Sequence, residues 1–260
     1  MDPRPIGLFD SGIGGLSVVR QLQRLAPAES LVYFADTAYF PYGPRTAPEV
    51  RKRAFTIAAH LLALDVKAIV VACNTASAAA LEDLRAAFDV RFVGMVPGVK
   101  PATASSRTGR VTILATEGTL DGHLYSRVVA DFGANVHVSS VAGAGLAELV
   151  ERGLADTPQA RQRINEVLAP EIAAGSDTVV LGCTHYHFLA HDIAATFPGL
   201  TIIDTSEAVA RRTVQVLAET GAAAAPGVGT FSIIVTGDRA AFYASMQHAG
   251  FPAPIQEVSV

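Results

Sequence analysis

Cysteine is nearly absent from this chain. Cys73 and Cys183 are the only two, 110 positions apart, and they cannot build the disulfide framework of a small secreted domain. An excess of positive charge is missing too. Lys+Arg 20 against Asp+Glu 24 leaves a net charge of −4 and a pI near 6.0, without the basic footprint of a nucleic-acid binder. Long apolar runs are also lacking. The longest uncharged stretch, Thr220 to Gly237, is interrupted by Pro226 and several glycines, so no membrane span is expected. Met1-Asp2-Pro3-Arg4 puts an acid where a signal peptide carries bases, and no long hydrophobic region follows. These absences together predict a soluble, cytoplasmic protein.

What the chain has in quantity is apolar sequence. Half of its 260 residues are hydrophobic and 17% are charged, enough for one large domain or two small ones around a substantial core. Short Val- and Ile-rich runs recur: Ile6–Phe9, Leu31–Ala35, Ala68–Ala72, Arg91–Val96, Val111–Ala115, Val136–Ser140, Thr178–Gly182, Leu200–Ile203 and Phe231–Val235. They are continuously apolar rather than alternating, as strands covered on both faces are. Between them lie helical segments: Leu16–Leu25, Pro48–Leu64, Ser77–Ala87, Thr119–Phe132, Pro158–Ala174 and Ser206–Thr220. This alternation predicts an open α/β architecture with parallel sheets.

The order of elements repeats at a long interval. Ile6–Gly12 resembles Val111–Gly118, an apolar strand running into small polar residues and glycine. Ile69–Thr75 resembles Val179–His185, and this second pair carries both cysteines. Two pairs in register predict two pseudosymmetric lobes with a cleft between them. Residues 1–97 plus 206–260 would form the lobe of Cys73, and 98–205 that of Cys183. Pro97–Arg110 reads as the hinge, and the tail from Gly221 would rejoin the first lobe.

Each cysteine stands at the carboxyl end of a strand and the entrance to a helix, the edge where open parallel sheets collect ligands. Helix-terminal N–H groups there would lower a thiol pKa from ~8.5 towards neutrality. A single cysteine so placed reads as an inert buried residue. Two at matching positions read as a functional pair. Gly12-x-Gly14-x-x-Ser17 has the outline of a dinucleotide fingerprint, with Asp36 near the place of a ribose-binding acid. Against it, the third glycine is Ser17, and Asp10 would oppose a pyrophosphate. The favoured reading is a tight turn that exposes Asp10 and Ser11. His187 and His191 could share a helix face beside Cys183 as metal ligands, but strand-to-helix geometry favours surface or packing roles. Glu151, near a helix end, reads as a solvated carboxylate. Phe40–Arg45 is a Pro- and Gly-punctuated loop suited to covering a ligand.

The stretches Ile6–Leu16, Ala35-Asp36-Thr37, Pro41-Tyr42-Gly43, Val71–Ser77, Thr116–Thr119, Val150–Gly153 and Leu181–Tyr186 resemble the glutamate racemases of the cofactor-independent amino-acid racemase superfamily. Cys73-Asn74-Thr75-Ala76-Ser77 and Gly182-Cys183-Thr184-His185 are the specific motifs, and the resemblance covers nearly the whole chain. It implies proton transfer at Cα of L- and D-glutamate, feeding peptidoglycan precursors, with the substrate between the lobes. By resemblance Cys73 takes the α-proton of D-glutamate and Cys183 that of L-glutamate. Asp10 and His185 are their acid/base helpers, and Glu151 is a further participant. Asp10, Ser11, Tyr42, Gly43, Asn74, Thr75, Thr184 and His185 are the implied substrate-binding residues. No metal, nucleotide or other cofactor is implied, and a homodimer is expected. Pyridoxal chemistry would need a Schiff-base lysine. Only Lys52, Lys67 and Lys100 exist; Lys52 and Lys67 read as polar-face residues, and Lys100 lies in no specific motif. Many relatives have Pro where this chain has His187.

Overall fold

The computed structural model describes residues 1–251 and 256–257. Among these, ten strands form: β1 (Ile6–Asp10), β2 (Leu31–Ala35), β3 (Ala68–Val71), β4 (Arg91–Gly94), β5 (Arg110–Ala115), β6 (His137–Ala142), β7 (Thr178–Gly182), β8 (Thr201–Ile203), β9 (Phe231–Val235) and β10 (Gln256–Glu257). β1, β2, β3 and β7 are buried at every residue. Helices cover both faces, which is why these strands carry continuous apolar runs instead of alternation.

The strands assemble into two parallel sheets, ordered β10-β9-β2-β1-β3-β4 and β6-β5-β7-β8. The block β2-β1-β3-β4 is matched by β6-β5-β7-β8. β1 corresponds to β5 and β3 to β7, the strands whose sequences resemble one another. Residues after Gly221 return to the first sheet, where β9 pairs with β2. One core joins the sheets, since Leu8 and Val70 share a cluster with Leu114 and Leu181. Two further clusters, around Ile57 and Ile113, belong to one sheet each. This is the two-lobed α/β fold expected from the sequence.

Three local expectations need correction. Pro97–Arg110 is not a bare hinge, because Val99–Ser105 is a helix with Val99 and Ala102 fully buried. Thr119–Phe132 divides into Glu117–Leu120 and His123–Phe132. Between them, a side chain at Gly122 would lie 2.7 Å from Ala78 Cβ, so the close approach of two segments fixes the break. Lys67 is no surface residue. Its side chain is buried, with Nζ 2.5 Å from Glu29 Oε2 and donating to the Asp2 carbonyl at 2.8 Å. Removing one partner of a buried ion pair strands the other. Lys67→Ala should therefore destabilise the fold by about 3 kcal/mol, read as a lowered melting temperature; an unchanged one would show that Glu29 needs no counter-charge.

Among the described residues, no helix is long and apolar enough to cross a membrane.

Candidate active site

Cys73 follows β3 and Cys183 follows β7, each at the residue before a helical turn. Their backbones are nearly alike, φ −143 and ψ 124 at Cys73, φ −143 and ψ 137 at Cys183. Equivalent strands thus deliver equivalent thiols, and both line one cavity of about 190 Å³ at the junction of the two sheets. Ser11, Tyr42, Gly43, Asn74, Thr75, Thr184 and His185 line it as well. Of the residues singled out from sequence, Asp10 and Glu151 are not in the cavity wall. They stand behind it and touch residues that are.

Asp10 is fully buried, not exposed by its glycine turn. It accepts hydrogen bonds from the Ser11 N–H at 2.6 Å and the Thr184 hydroxyl at 2.9 Å. The glycines serve this cluster. A Cβ at Gly14 would lie within 2.6 Å of Thr184 Oγ1, Asp10 Oδ2 and His185 Nδ1, and one at Gly12 would collide with the Glu151 carboxylate. The dinucleotide reading also loses its ribose acid. Asp36 is fully buried and committed to Arg53, Tyr42 and Thr236. Glu151 is no solvated carboxylate either. Its Oε1 accepts from the Ile13 N–H at 2.6 Å and lies 2.7 Å from His185 Nε2. Ser245, in the helix Arg239–His248, donates to the Glu151 carbonyl.

The two thiols have different neighbours. His185 Nδ1 is 3.9 Å from Cys183 Sγ while its Nε2 faces Glu151. Burial works against a charged imidazole, but the hydrogen bonds to Cys183 and Glu151 prevail and raise its pKa well above the ordinary histidine value. An imidazolium, donating from both nitrogens, suits those two partners. Cys73 departs from expectation: burial, and then the adjacent Asp10, push its thiol well above the usual range, opposed by the Ala76 N–H. Burial likewise raises Asp10, with His185 and Cys73 acting in the other direction. The helix terminus is outweighed by desolvation on this side.

The remaining wall is made of hydrogen-bonding groups. Both polar atoms of Asn74 are buried without a partner, a costly arrangement unless a ligand satisfies them. Thr75 Oγ1 lies 2.8 Å from Thr116 Oγ1, which is 2.9 Å from Thr119 Oγ1. Thr116 lines the cavity and was missed as a site residue, although its motif stands in the sequence at the end of β5, the counterpart of β1. Tyr42 lines the cavity, but its hydroxyl donates to Asp36 Oδ2 at 2.5 Å. Any contact it makes with a ligand's carboxylate must come from elsewhere on the residue.

The histidines of the metal reading do not converge. Thr184–Leu189 is a 3-10 helix, followed by the α-helix Ala190–Thr196. His187 is buried, with Nδ1 2.9 Å from Ser206 Oγ and 3.2 Å from Ser17 Oγ. His191 is exposed and pairs with Asp156 at 2.6 Å. The first is a packing residue and the second a surface one.

The family model for Asp/Glu/hydantoin racemases matches residues 6–213. A glutamate racemase from Roseiflexus sp. (strain RS-1) is 49% identical over 220 residues, covering 84% of this chain and 81% of that protein. Among solved structures, a glutamate racemase isoform from Bacillus anthracis superposes with a TM-score of 0.90 at 32% identity, covering 100% of this chain and 98% of the other. The Escherichia coli glutamate racemase, solved in complex with L-glutamate and the activator UDP-MurNAc-Ala, gives 0.84 at 31% identity, covering 99% and 98%. Fold, site and relatives thus define the class, an isomerase of amino acids. Within that class, the chain belongs to the Asp/Glu/hydantoin racemase family.

Proposed function

We propose that this protein interconverts L- and D-glutamate by two-thiol proton transfer at Cα, in the cytoplasm and for peptidoglycan precursors. The observation that carries this reading is the pair of cysteines, delivered by equivalent strands to one cavity that also holds the unpartnered Asn74. Inverting a stereocentre needs a base on one face and an acid on the other, and the two exchange roles with direction. With L-glutamate bound, Cys183 as thiolate beside the His185 imidazolium takes the α-proton. Cys73, a thiol beside Asp10, returns a proton to the opposite face. The reverse direction starts from Cys73, with Asp10 assisting. Glu151 orients His185 and holds its charge. Hydroxyl and amide donors from Ser11, Asn74 and Thr75, with the main chain of Tyr42, Gly43 and Thr184, would bind the substrate and stabilise the negative charge that develops on its carboxylate. Residues 1–97 with 206–260 and residues 98–205 would be the two lobes on either side of it, and the active form would be a homodimer.

The test is circular dichroism of L-glutamate incubated with the protein, in the presence of a chelator and with no added cofactor. The signal should decay to zero as D-glutamate accumulates, and D-glutamate should converge on the same end point. Activity lost to the chelator and regained with zinc would overturn the cofactor-free mechanism. Turnover of aspartate with neither glutamate enantiomer changed would overturn the substrate.

A further inference from the structure

We infer that Arg53, outside the cavity, is a positioning residue that sets substrate affinity by fastening the loop from Thr37 to Arg45 through Asp36; the inference rests on the racemase reading of this cavity. That loop supplies Phe40, Pro41, Tyr42, Gly43 and Pro44 to the cavity wall. It also reaches across to the second sheet's lobe, where the Gly43 carbonyl accepts from the Gly118 N–H at 3.1 Å. Asp36, at the end of β2, is the fixed point. A carboxylate with no exposure needs a charged partner to remain ionised. Arg53, from the helix Ala47–Ala63, provides it with both arms of its fork, Nη2 2.6 Å from Oδ1 and Nε 3.0 Å from Oδ2. Asp36 Oδ2 accepts the Tyr42 hydroxyl, and Oδ1 accepts that of Thr236 at 3.0 Å.

A second grip acts on the same loop. The Arg53 guanidinium lies 3.8 Å from the centre of the Tyr39 ring, and Arg45 Nε donates to the Tyr39 carbonyl at 2.8 Å. One arginine therefore secures the loop at Tyr39 directly and at Tyr42 by way of Asp36. Without it, the buried Asp36 carboxylate loses both donors of the guanidinium fork, and Tyr42 loses the fixed orientation of its acceptor. Cys73 and Cys183 hang from β3 and β7, and none of the hydrogen bonds that join Arg53, Asp36, Tyr42, Thr236, Arg45 and Tyr39 reaches either strand. The defect should fall on binding rather than on proton transfer.

The experiment compares Arg53→Met and Arg53→Lys with the parent in steady-state racemisation of both glutamate enantiomers. For Arg53→Met we expect KM to rise about tenfold or more for each enantiomer, with kcat within about threefold of the parent, the pattern of lost ground-state binding. Arg53→Lys keeps the charge but not the bidentate fork and should fall between. If Arg53→Met does not fold, Arg53→Lys and the charge-balanced Asp36→Asn/Arg53→Met variant carry the same reading. A merely structural arginine would instead lower the melting temperature and the active fraction with KM unchanged, and that result overturns the inference. A parent protein that leaves both enantiomers of glutamate unchanged would be a failure of the racemase reading itself.

Discussion

Cys73→Ser and Cys183→Ser each abolish racemisation in both directions, and each spares a different half of the reaction. Inversion in either direction needs one thiol as base and the other as acid, so loss of either stops it. Proton removal alone needs only the base. A glutamate analogue with a leaving group on Cβ reports that step by itself, because the group departs once the carbanion forms and no reprotonation follows. Cys73→Ser should retain elimination from the L-analogue and lose it from the D-analogue. Cys183→Ser should do the reverse. Serine's far higher pKa makes the lost half-reaction fall by orders of magnitude, since about 1.4 kcal/mol of barrier is already a factor of ten. Both mutants losing the same enantiomer, or either one racemising at nearly the parent rate, would end the two-base assignment.

His185→Asn comes next in size. His185 is buried between Cys183 and Glu151, and its loss removes the charge that accompanies the Cys183 thiolate. Turnover should fall about 10²- to 10⁴-fold, the range of a positioned acid/base group. The pH dependence has a definite sign. The pKa of His185 is raised, so the imidazolium is present on the acid side of that value and lost as pH climbs through it. The parent should therefore show an alkaline fall in kcat/KM for L-glutamate, and His185→Asn should lack that limb at its much reduced rate. The same alkaline limb in both proteins would assign it to another group, such as the Cys73 thiol, and remove the imidazolium from the mechanism.

Strands buried on both faces announce themselves by uninterrupted Val and Ile, so β2, β7 and β9 were legible in the sequence to the residue. The division into two similar lobes was legible because the repeat carries cysteines at matching places. Short helices were not: Val99–Ser105, Leu146–Glu151 and Ala190–Thr196 span two turns or fewer, too brief for a period of 3.6 to register. At the site, residue type and strand end located the thiols, Asn74 and His185. Ionisation was not legible. The helix entrance at Cys73 argues for a lowered pKa, and only the packing around it reveals that burial and Asp10 raise it. Glu151 and Lys67 were misread for a related reason. Each is engaged by a partner distant in sequence, Ile13 and His185 for one, Glu29 for the other, and local pattern contains neither.

The two flanks of the cavity are chemically unequal, a carboxyl group beside Cys73 and an imidazole–carboxylate pair beside Cys183. Mirror-image amino acids have the same free energy in water, so their equilibrium ratio is unity whatever catalyses the exchange. It follows that kcat/KM must be identical for the two enantiomers, in the parent and in every variant. The inequality of the flanks therefore has one outlet. It can make one hand of the substrate bind more tightly only by making that hand turn over more slowly, in the same proportion. Under saturating conditions the protein can thus have a faster and a slower direction, and yet it can never enrich either product.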